Sequence, residues 1–263
     1  MAKRLKLATR ALGAEPGMPD VPALAAWISG HRGTAADIIT YQLDQSLSPQ
    51  LPAEIQSPCA GGRFYRERIL GGMAGVEDGK ATAEISLDPH EIYRDAALIV
   101  SKKKGAWCAL PAPHLLGITD VFYEDEEEWN DALTGVYRIL MRSMRDVGIG
   151  GHVLICQTLQ EPEFASLVRQ NVFFFVTEPD RDDFACLLEH QLQVAVSRDH
   201  LDTLLDLTGE YDIRKVIIVD PDAPSITRTL SCLDPDQVVA GGYCKRSCED
   251  YWTDLVSSAT YSV

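Results

Sequence analysis

Two cysteines in the stretch GGYCKRSCEDYW, residues 241–252, have a spacing that suits metal or redox chemistry. Cys244 and Cys248 are four residues apart, so both thiols would lie on one face if the segment is helical. They are then half of a divalent-metal site, a regulatory redox pair, or two small packing residues. A complete four-cysteine site would need a second pair, and the sequence contains no CxxC motif.

The glycine pair that precedes these cysteines suggests an anion site. Gly241 and Gly242 follow the apolar stretch QVVA, and a glycine-rich turn from strand to helix can bind an anion through backbone N–H groups. Lys245 would add a positive charge. The spacing matches neither GxGxxG nor GxxxxGK[ST], so no nucleotide site is indicated. We expect a small anionic ligand here.

Asp220 and His200 are the residues that we expect to act as general acid and base. Asp220 ends the apolar run VIIVD, and His200 follows QVAVSRD. Glu178 and Asp222 follow the ends of similar runs and are candidates for contacts to a substrate or metal, and Arg198 is a candidate for binding a ligand. Helix capping is the alternative role, because Asp and Ser are preferred at helix N-termini.

Five strand-and-helix units in residues 150–263 would position these side chains. Each begins with a short apolar run and continues with a helical pattern. The apolar runs are GHVLIC, NVFFFV, LQVAVS, RKVIIV and QVVAGGY. Consecutive buried strands joined by helices predict an α/β fold with a parallel sheet, either an open doubly wound sheet or a partial barrel. Both architectures bind ligands at the carboxyl ends of the strands.

The first half has a different pattern, and we describe residues 1–120 as an α+β region and residues 121–263 as an acidic α/β region. They are separate domains or parts of one continuous domain. VPALAAWISG predicts a helix, whereas RFYRERIL, KATAEISL, ALIVS and AWCALP predict strands. Residues 124–147 predict a long amphipathic helix. Arg66 and Arg68 could bind a phosphate or carboxylate, or contact the acidic second half of the chain. We expect His114 to pack in the core or in a loop.

Charge and cysteine content restrict the partners. Residues 124–263 contain 11 Lys or Arg and 26 Asp or Glu, which accounts for the whole net charge of −15. That excess argues against nucleic acid binding. No apolar run is long enough to cross a membrane. The seven cysteines lie mostly in apolar runs, which predicts a cytoplasmic protein rather than a disulfide framework.

Together these features predict an enzyme that binds a small polar or anionic ligand at the carboxyl ends of parallel strands. A divalent metal is compatible with the acidic and cysteine residues. The alternative is a non-catalytic subunit or adaptor whose acidic half binds a protein partner or a second copy of the chain. Convergence of Asp220, His200 and Glu178 in one pocket would favour the enzyme.

Overall fold

Thirteen strands and ten helices follow one another in a computed structural model that describes residues 4–31, 36–246 and 248–262. The strands are β1 (Arg4–Lys6), β2 (Ala8–Ala14), β3 (Cys59–Gly61), β4 (Met73–Glu77), β5 (Lys80–Leu87), β6 (Trp107–Pro111), β7 (Thr119–Asp120), β8 (Gly151–Cys156), β9 (Val172–Val176), β10 (Gln193–Ser197), β11 (Lys215–Val219), β12 (Val238–Cys244) and β13 (Thr260–Ser262). The helices are α1 (Val21–Gly30), α2 (Ile38–Leu47), α3 (Arg66–Gly72), α4 (His90–Lys102), α5 (Glu126–Val147), α6 (Glu161–Leu167), α7 (Arg181–His190), α8 (Leu201–Leu205), α9 (Ala223–Leu230) and α10 (Tyr251–Ser258).

Eight of the strands form a parallel barrel in chain order. One sheet has the order β3-β6-β8-β9, and the other has the order β10-β11-β12-β2. A parallel bridge between Arg10 and Ser57 joins β2 to the chain leading into β3. At the other seam, the side-chain amide of Gln191 hydrogen-bonds both the backbone N–H and the carbonyl of Phe174. The sheets therefore close into a barrel of eight strands.

The barrel follows from strands that are buried on both faces. β8, β9 and β12 are buried at every position, as expected for parallel strands covered by helices. At least one helix follows every barrel strand, which is the pattern of a (β/α)8 barrel. The expectation of an α/β fold with a parallel sheet is confirmed, and the arrangement is a barrel rather than an open sheet.

The amphipathic helix predicted for residues 124–147 is confirmed as α5. Asp125 caps its N-terminus by accepting hydrogen bonds from the backbone of Glu127 and Glu128, and the first turn is acidic. That arrangement favours helix initiation and complements the helix dipole. The chain leaves the helix at Gly148, whose φ of 123° is accessible chiefly to glycine.

Two strand predictions in the first half are wrong. RFYRERIL forms a 3-10 turn followed by α3, because Tyr65 and Ile69, four residues apart, are buried together. ALIVS lies inside α4, which buries Ile92, Ala96 and Ile99 at helical spacing. KATAEISL is confirmed as β5, which pairs antiparallel with β4 and parallel with β7 in a sheet outside the barrel.

Strands from both sides of residue 120 pair within the barrel, since β6 pairs with β8 and β2 pairs with β12. β1 and β13 add a short antiparallel pair between the two ends of the described chain. Within the described ranges, no helix is long and apolar enough to span a bilayer.

Candidate functional site

Four polar side chains meet at the carboxyl ends of the barrel strands. Glu15 follows β2, Arg63 follows β3, Thr177 follows β9, and Tyr243 lies near the end of β12. Glu15 Oε1 accepts hydrogen bonds from the backbone N–H of Arg63 at 2.6 Å and from the Tyr243 hydroxyl. Arg63 Nη2 lies 3.5 Å from Thr177 Oγ1. We call these four residues the central cluster.

Close backbone approach makes the central cluster possible. A Cβ at Gly62 would lie 2.1 Å from the Ala14 carbonyl oxygen and 3.0 Å from Glu15 Oε1. Gly62 therefore lets the chain after β3 pass directly against the end of β2. Glu15 can then bind the backbone of Arg63, and the guanidinium is left to reach across the mouth of the barrel.

One donor atom of the central cluster is buried without a partner in the described chain. Arg63 Nε makes no hydrogen bond to the described residues. Glu15 is only partly buried, and both of its hydrogen bonds within the cluster are accepted by Oε1. A buried polar atom without a partner costs roughly 1–3 kcal/mol, so such atoms often mark places where a ligand or water binds.

A second group lies beside the central cluster at the same end of the barrel. His114, in the turn after β6, has its Nδ1 2.8 Å from Oε2 of the buried Glu163 on α6. They line a pocket of about 460 Å³ together with Trp129, Asn130 and Gln160, among others. The prediction that His114 only packs in a loop missed this pairing with an acidic residue.

Cys156 connects the two groups electrostatically. Burial raises the pKa of its thiol, Glu163 and Asp183 add to the shift, and Arg63 opposes it, so the pKa is raised to about 12. Both Arg63 and Glu163 therefore act on the same thiol at the end of β8. A thiol with so high a pKa is protonated at neutral pH, which makes it a poor nucleophile.

Asp220, expected to act in acid–base chemistry, lies directly after β11 with φ of 51°. Its carboxylate accepts a hydrogen bond from the Tyr251 hydroxyl of α10. Burial raises the pKa of Asp220, and the Tyr251 hydrogen bond, Arg198 and Lys245 oppose that shift. Asp220 is exposed to solvent, and an accessible carboxylate with a raised pKa is a reasonable acid–base group.

The other residues predicted to meet at the carboxyl ends of the strands, which form the rim of the barrel, make local pairs instead of one cluster. His200 Nδ1 lies 2.9 Å from Ser197 Oγ, and no hydrogen bond joins His200 to Asp220 in the described chain. Arg198 forms an ion pair of 2.9 Å with Asp222. Asp222 also caps α9, and its hydrogen bonds from Ser225, ahead of the charge of Arg198, lower its pKa to about 2.

Three ligand candidates remain. Gly241 and Gly242 are required by close packing, and Glu178 is exposed to solvent. Glu178 is exposed after β9. A Cβ at Gly241 would lie 2.3 Å from Ile217 Cγ2, and one at Gly242 would lie 2.8 Å from Leu255, Trp252 and Tyr251. Both glycines lie inside β12, with α10 packed against Gly242. Their role in binding a ligand stays a prediction.

Cys244 and Cys248 form a disulfide at the same rim. Cys244 ends β12, and α10 begins only at Tyr251, so the expected helix start at the first cysteine is wrong. Cysteines in a strand end and a loop can approach each other more easily than two positions of one helix. Five further cysteines are free, three of them buried.

The residues described do not fit a preformed metal centre. No group of three His, Cys, Asp or Glu side chains with metal-binding geometry occurs in the described ranges. The sulfurs of Cys244 and Cys248 are bonded to each other, so thiolate ligands would be available only after reduction. Metal binding at these cysteines stays a prediction, and no chemical step is assigned to a metal.

Comparison with known proteins gives a likeness of fold. No protein-family model and no curated protein matches the sequence. A Listeria monocytogenes protein assigned as a vitamin B12-independent methionine synthase has a TM-score of 0.68, with 12% identity over 97% of each chain. A B12-independent methionine synthase from a Shewanella species, solved with selenomethionine, has a TM-score of 0.64, with 12% identity over 97% of this chain and 95% of its own. The metallated homocysteine methyltransferase of Escherichia coli has a TM-score of 0.50, with 12% identity over 95% of this chain and 96% of its own.

At this identity the likeness establishes the fold alone: an α/β barrel of the kind that these enzymes use.

Proposed function

We propose that this chain is an enzyme that binds a small carboxylate-bearing ligand at the carboxyl ends of its barrel strands. The observation that carries the proposal is the guanidinium of Arg63, which reaches over the barrel mouth with a buried Nε that no described protein group satisfies. A guanidinium with a free edge favours carboxylate or phosphate oxygens. The carboxyl ends of the strands are also where barrel enzymes bind their substrates.

The opposite charges of the central cluster suggest a zwitterion as the ligand class. An α-amino acid carries a carboxylate that suits Arg63 and an ammonium group that suits Glu15 Oε2. The solved proteins of similar fold give independent support, since one was crystallised with selenomethionine. We therefore propose an amino acid, with sulfur-containing amino acids as the first candidates.

His114 and Glu163 provide the acid–base chemistry in this proposal. The carboxylate of Glu163 can orient the imidazole through Nδ1, leaving Nε2 to exchange a proton with a ligand. The pocket of about 460 Å³ that His114 and Glu163 line falls in the range of about 300–1,000 Å³ typical of small-molecule sites. Asp220 and His200 remain a second proposed acid–base set. The adaptor alternative is not favoured, because a binding surface does not require these inward-facing polar groups.

Titration calorimetry with L-methionine and L-homocysteine tests the proposal. We expect saturable binding that weakens about 10- to 100-fold in Arg63→Met, as expected when charge-assisted hydrogen bonds of about 1.5–3 kcal/mol are lost. Arg63→Lys should keep the charge and lose less affinity than Arg63→Met. The matched control is Arg181→Met, since Arg181 is exposed and pairs with Glu210 rather than with a residue of the central cluster.

Two results would contradict the proposal. One is the absence of binding of either amino acid to a correctly folded protein, shown by an unchanged circular dichroism spectrum. The other is equal weakening in Arg63→Met and Arg181→Met, which would indicate an effect of net charge alone. In either case, affinity purification of partners would be the appropriate test of the adaptor alternative.

A further inference from the structure

Five arginines lie together at the amino-terminal end of the barrel, opposite the central cluster. Arg10 lies in β2, and its guanidinium reaches Trp107 and Gln193, the first residues of β6 and β10. Arg169 precedes β9, and the other three lie on α5. The arginines of α5 are Arg138, Arg142 and Arg145. They line two pockets, and Arg169 lines both. We call this group the arginine face.

The inner pocket contains a buried cation without an acidic partner. Arg10 is 7% exposed, and its Nη1 donates a hydrogen bond of 2.7 Å to Gln193 Oε1. Its guanidinium carbon lies 4.3 Å from the ring centre of Trp107 and 5.1 Å from that of Phe173. These groups are neutral, and Nη2 is buried without a partner in the described chain. A buried charge that is left uncompensated is strongly destabilising.

The outer pocket, of about 260 Å³, is lined by four guanidinium-bearing side chains over an apolar floor that includes Met141 and Leu167. Arg138 and Arg142 lie more than one turn from the end of α5, where a favourable interaction with the helix dipole has already declined. Arg142 has only a distant ion pair, 3.8 Å from Asp146. No carboxylate lines either pocket within the described residues.

The sequence makes this concentration of arginines unusual. Residues 124–263 contain 11 basic residues among 26 acidic ones, yet four of the 11 line this one groove. Neighbouring like charges on a helix destabilise it. The fold therefore brings arginine side chains that repel one another into one groove, and a bound anion would reduce that repulsion.

We propose that the arginine face binds a small, multiply charged phosphate anion of the pyrophosphate class, with Arg169 shared between the inner and outer pockets. Arginine suits phosphate because its planar fork of donors matches the phosphate oxygens. The outer pocket is smaller than the range of about 300–1,000 Å³ typical of drug-sized ligands, so it suits an anion of a few heavy atoms. A nucleic acid would extend beyond the arginines onto an acidic surface, whereas a small anion would stay close to them.

Titration of inorganic pyrophosphate into the full chain tests this site. We expect one pyrophosphate per chain, with binding that weakens as salt rises from about 50 to about 200 mM. The double variant Arg142→Gln, Arg169→Gln should lose at least about tenfold in affinity. The control is Arg181→Gln, Arg228→Gln, which removes the same formal charge from two exposed, ion-paired arginines and should stay within about twofold.

Several outcomes would overturn the proposal. They are no saturable binding by a folded protein, an equal loss in the control double variant, or equal affinity for citrate, a trianion without phosphate. Arg63→Met should leave pyrophosphate affinity unchanged, because Arg63 lies at the other end of the barrel strands. A failure at the arginine face is therefore distinguishable from a failure of the proposed amino acid site.

Discussion

Replacing His152 with glutamine should remove much of the acid sensitivity of this fold. His152 lies in β8, is fully buried, and its Nε2 lies 3.1 Å from the carbonyl oxygen of Met141 on α5. Since a carbonyl can only accept, the imidazole donates from Nε2. Burial, opposed by the hydrogen bond to Met141 and assisted by the charge of Arg145, lowers the pKa of His152 from 6.5 to about 3. The native state therefore holds this histidine neutral.

The sign of the effect follows from proton binding. Between pH 6.5 and about pH 3 the unfolded chain binds a proton at His152 that the native state excludes. The stability associated with the neutral imidazole is fully present above pH 6.5 and is lost as the pH falls towards 3. A pH of about 4.5 lies roughly two pH units below the ordinary pKa of histidine. At about 1.36 kcal/mol per unit, the free energy of unfolding has fallen there by about 2.5 kcal/mol.

Urea unfolding between about pH 7 and about pH 4.5 measures this contribution. The free energy of unfolding should fall by about 2.5 kcal/mol less in His152→Gln than in the wild-type chain over that interval. Carboxylates titrate in both proteins, so their effect cancels in the difference. His90→Gln is the control, since the His90 side chain is 69% exposed. Parallel profiles for the wild-type chain and His152→Gln would refute the reasoning.

Three further predictions concern the cap of α7, a glycine inside β12 and the disulfide. Asp180→Ala should lower the free energy of unfolding by about 1 kcal/mol in urea melts, because it removes the capping box of α7. Gly241→Ala should lower the melting temperature more than Gly209→Ala, since only the former places a Cβ against Ile217, whereas Gly209 has nothing within 4 Å. After reduction, the Cys244 and Cys248 thiols should bind a stoichiometric divalent metal if the sequence-based prediction holds. Metal analysis with and without reductant checks this, and equal metal content in a Cys244→Ser, Cys248→Ser variant would rule the cysteines out.

The second half of the fold was predictable because parallel strands buried on both faces leave a local signature. VFFFV and VIIV are continuous apolar runs, and each lies in a barrel strand. β2 and β3 have no such signature. β2 contains Thr9, Arg10 and Gly13, and β3 is only three residues long. These two strands are defined by the neighbours they pair with when the barrel closes, which a single sequence does not reveal.

The sequence predicted a site at the carboxyl ends of the strands in residues 150–263, and the roles of the residues named there stay predictions. Polar side chains that follow strand ends do meet in the central cluster, but the expected convergence concerned only those five strands. Glu15, Arg63 and His114 follow strands of the first half, so they were not placed on the rim. Asp180 and Asp222 cap the N-termini of α7 and α9, which is the alternative role that the sequence predicts for acidic residues after strands. Recognising β2 and β3 would have brought Glu15 and Arg63 under the same expectation.

The two ends of the barrel surround their arginines with different charges, so the two proposals concern ligands of different charge. At the carboxyl end, Arg63 lies near Glu15, which already binds its backbone N–H, so the cluster is nearly neutral and suits a zwitterion. At the amino end, Arg10 and Arg169 lie in a pocket without a lining carboxylate, so the surplus is positive. A ligand that neutralises one end has the wrong charge balance for the other. Each binding test therefore reports on its own end of the barrel.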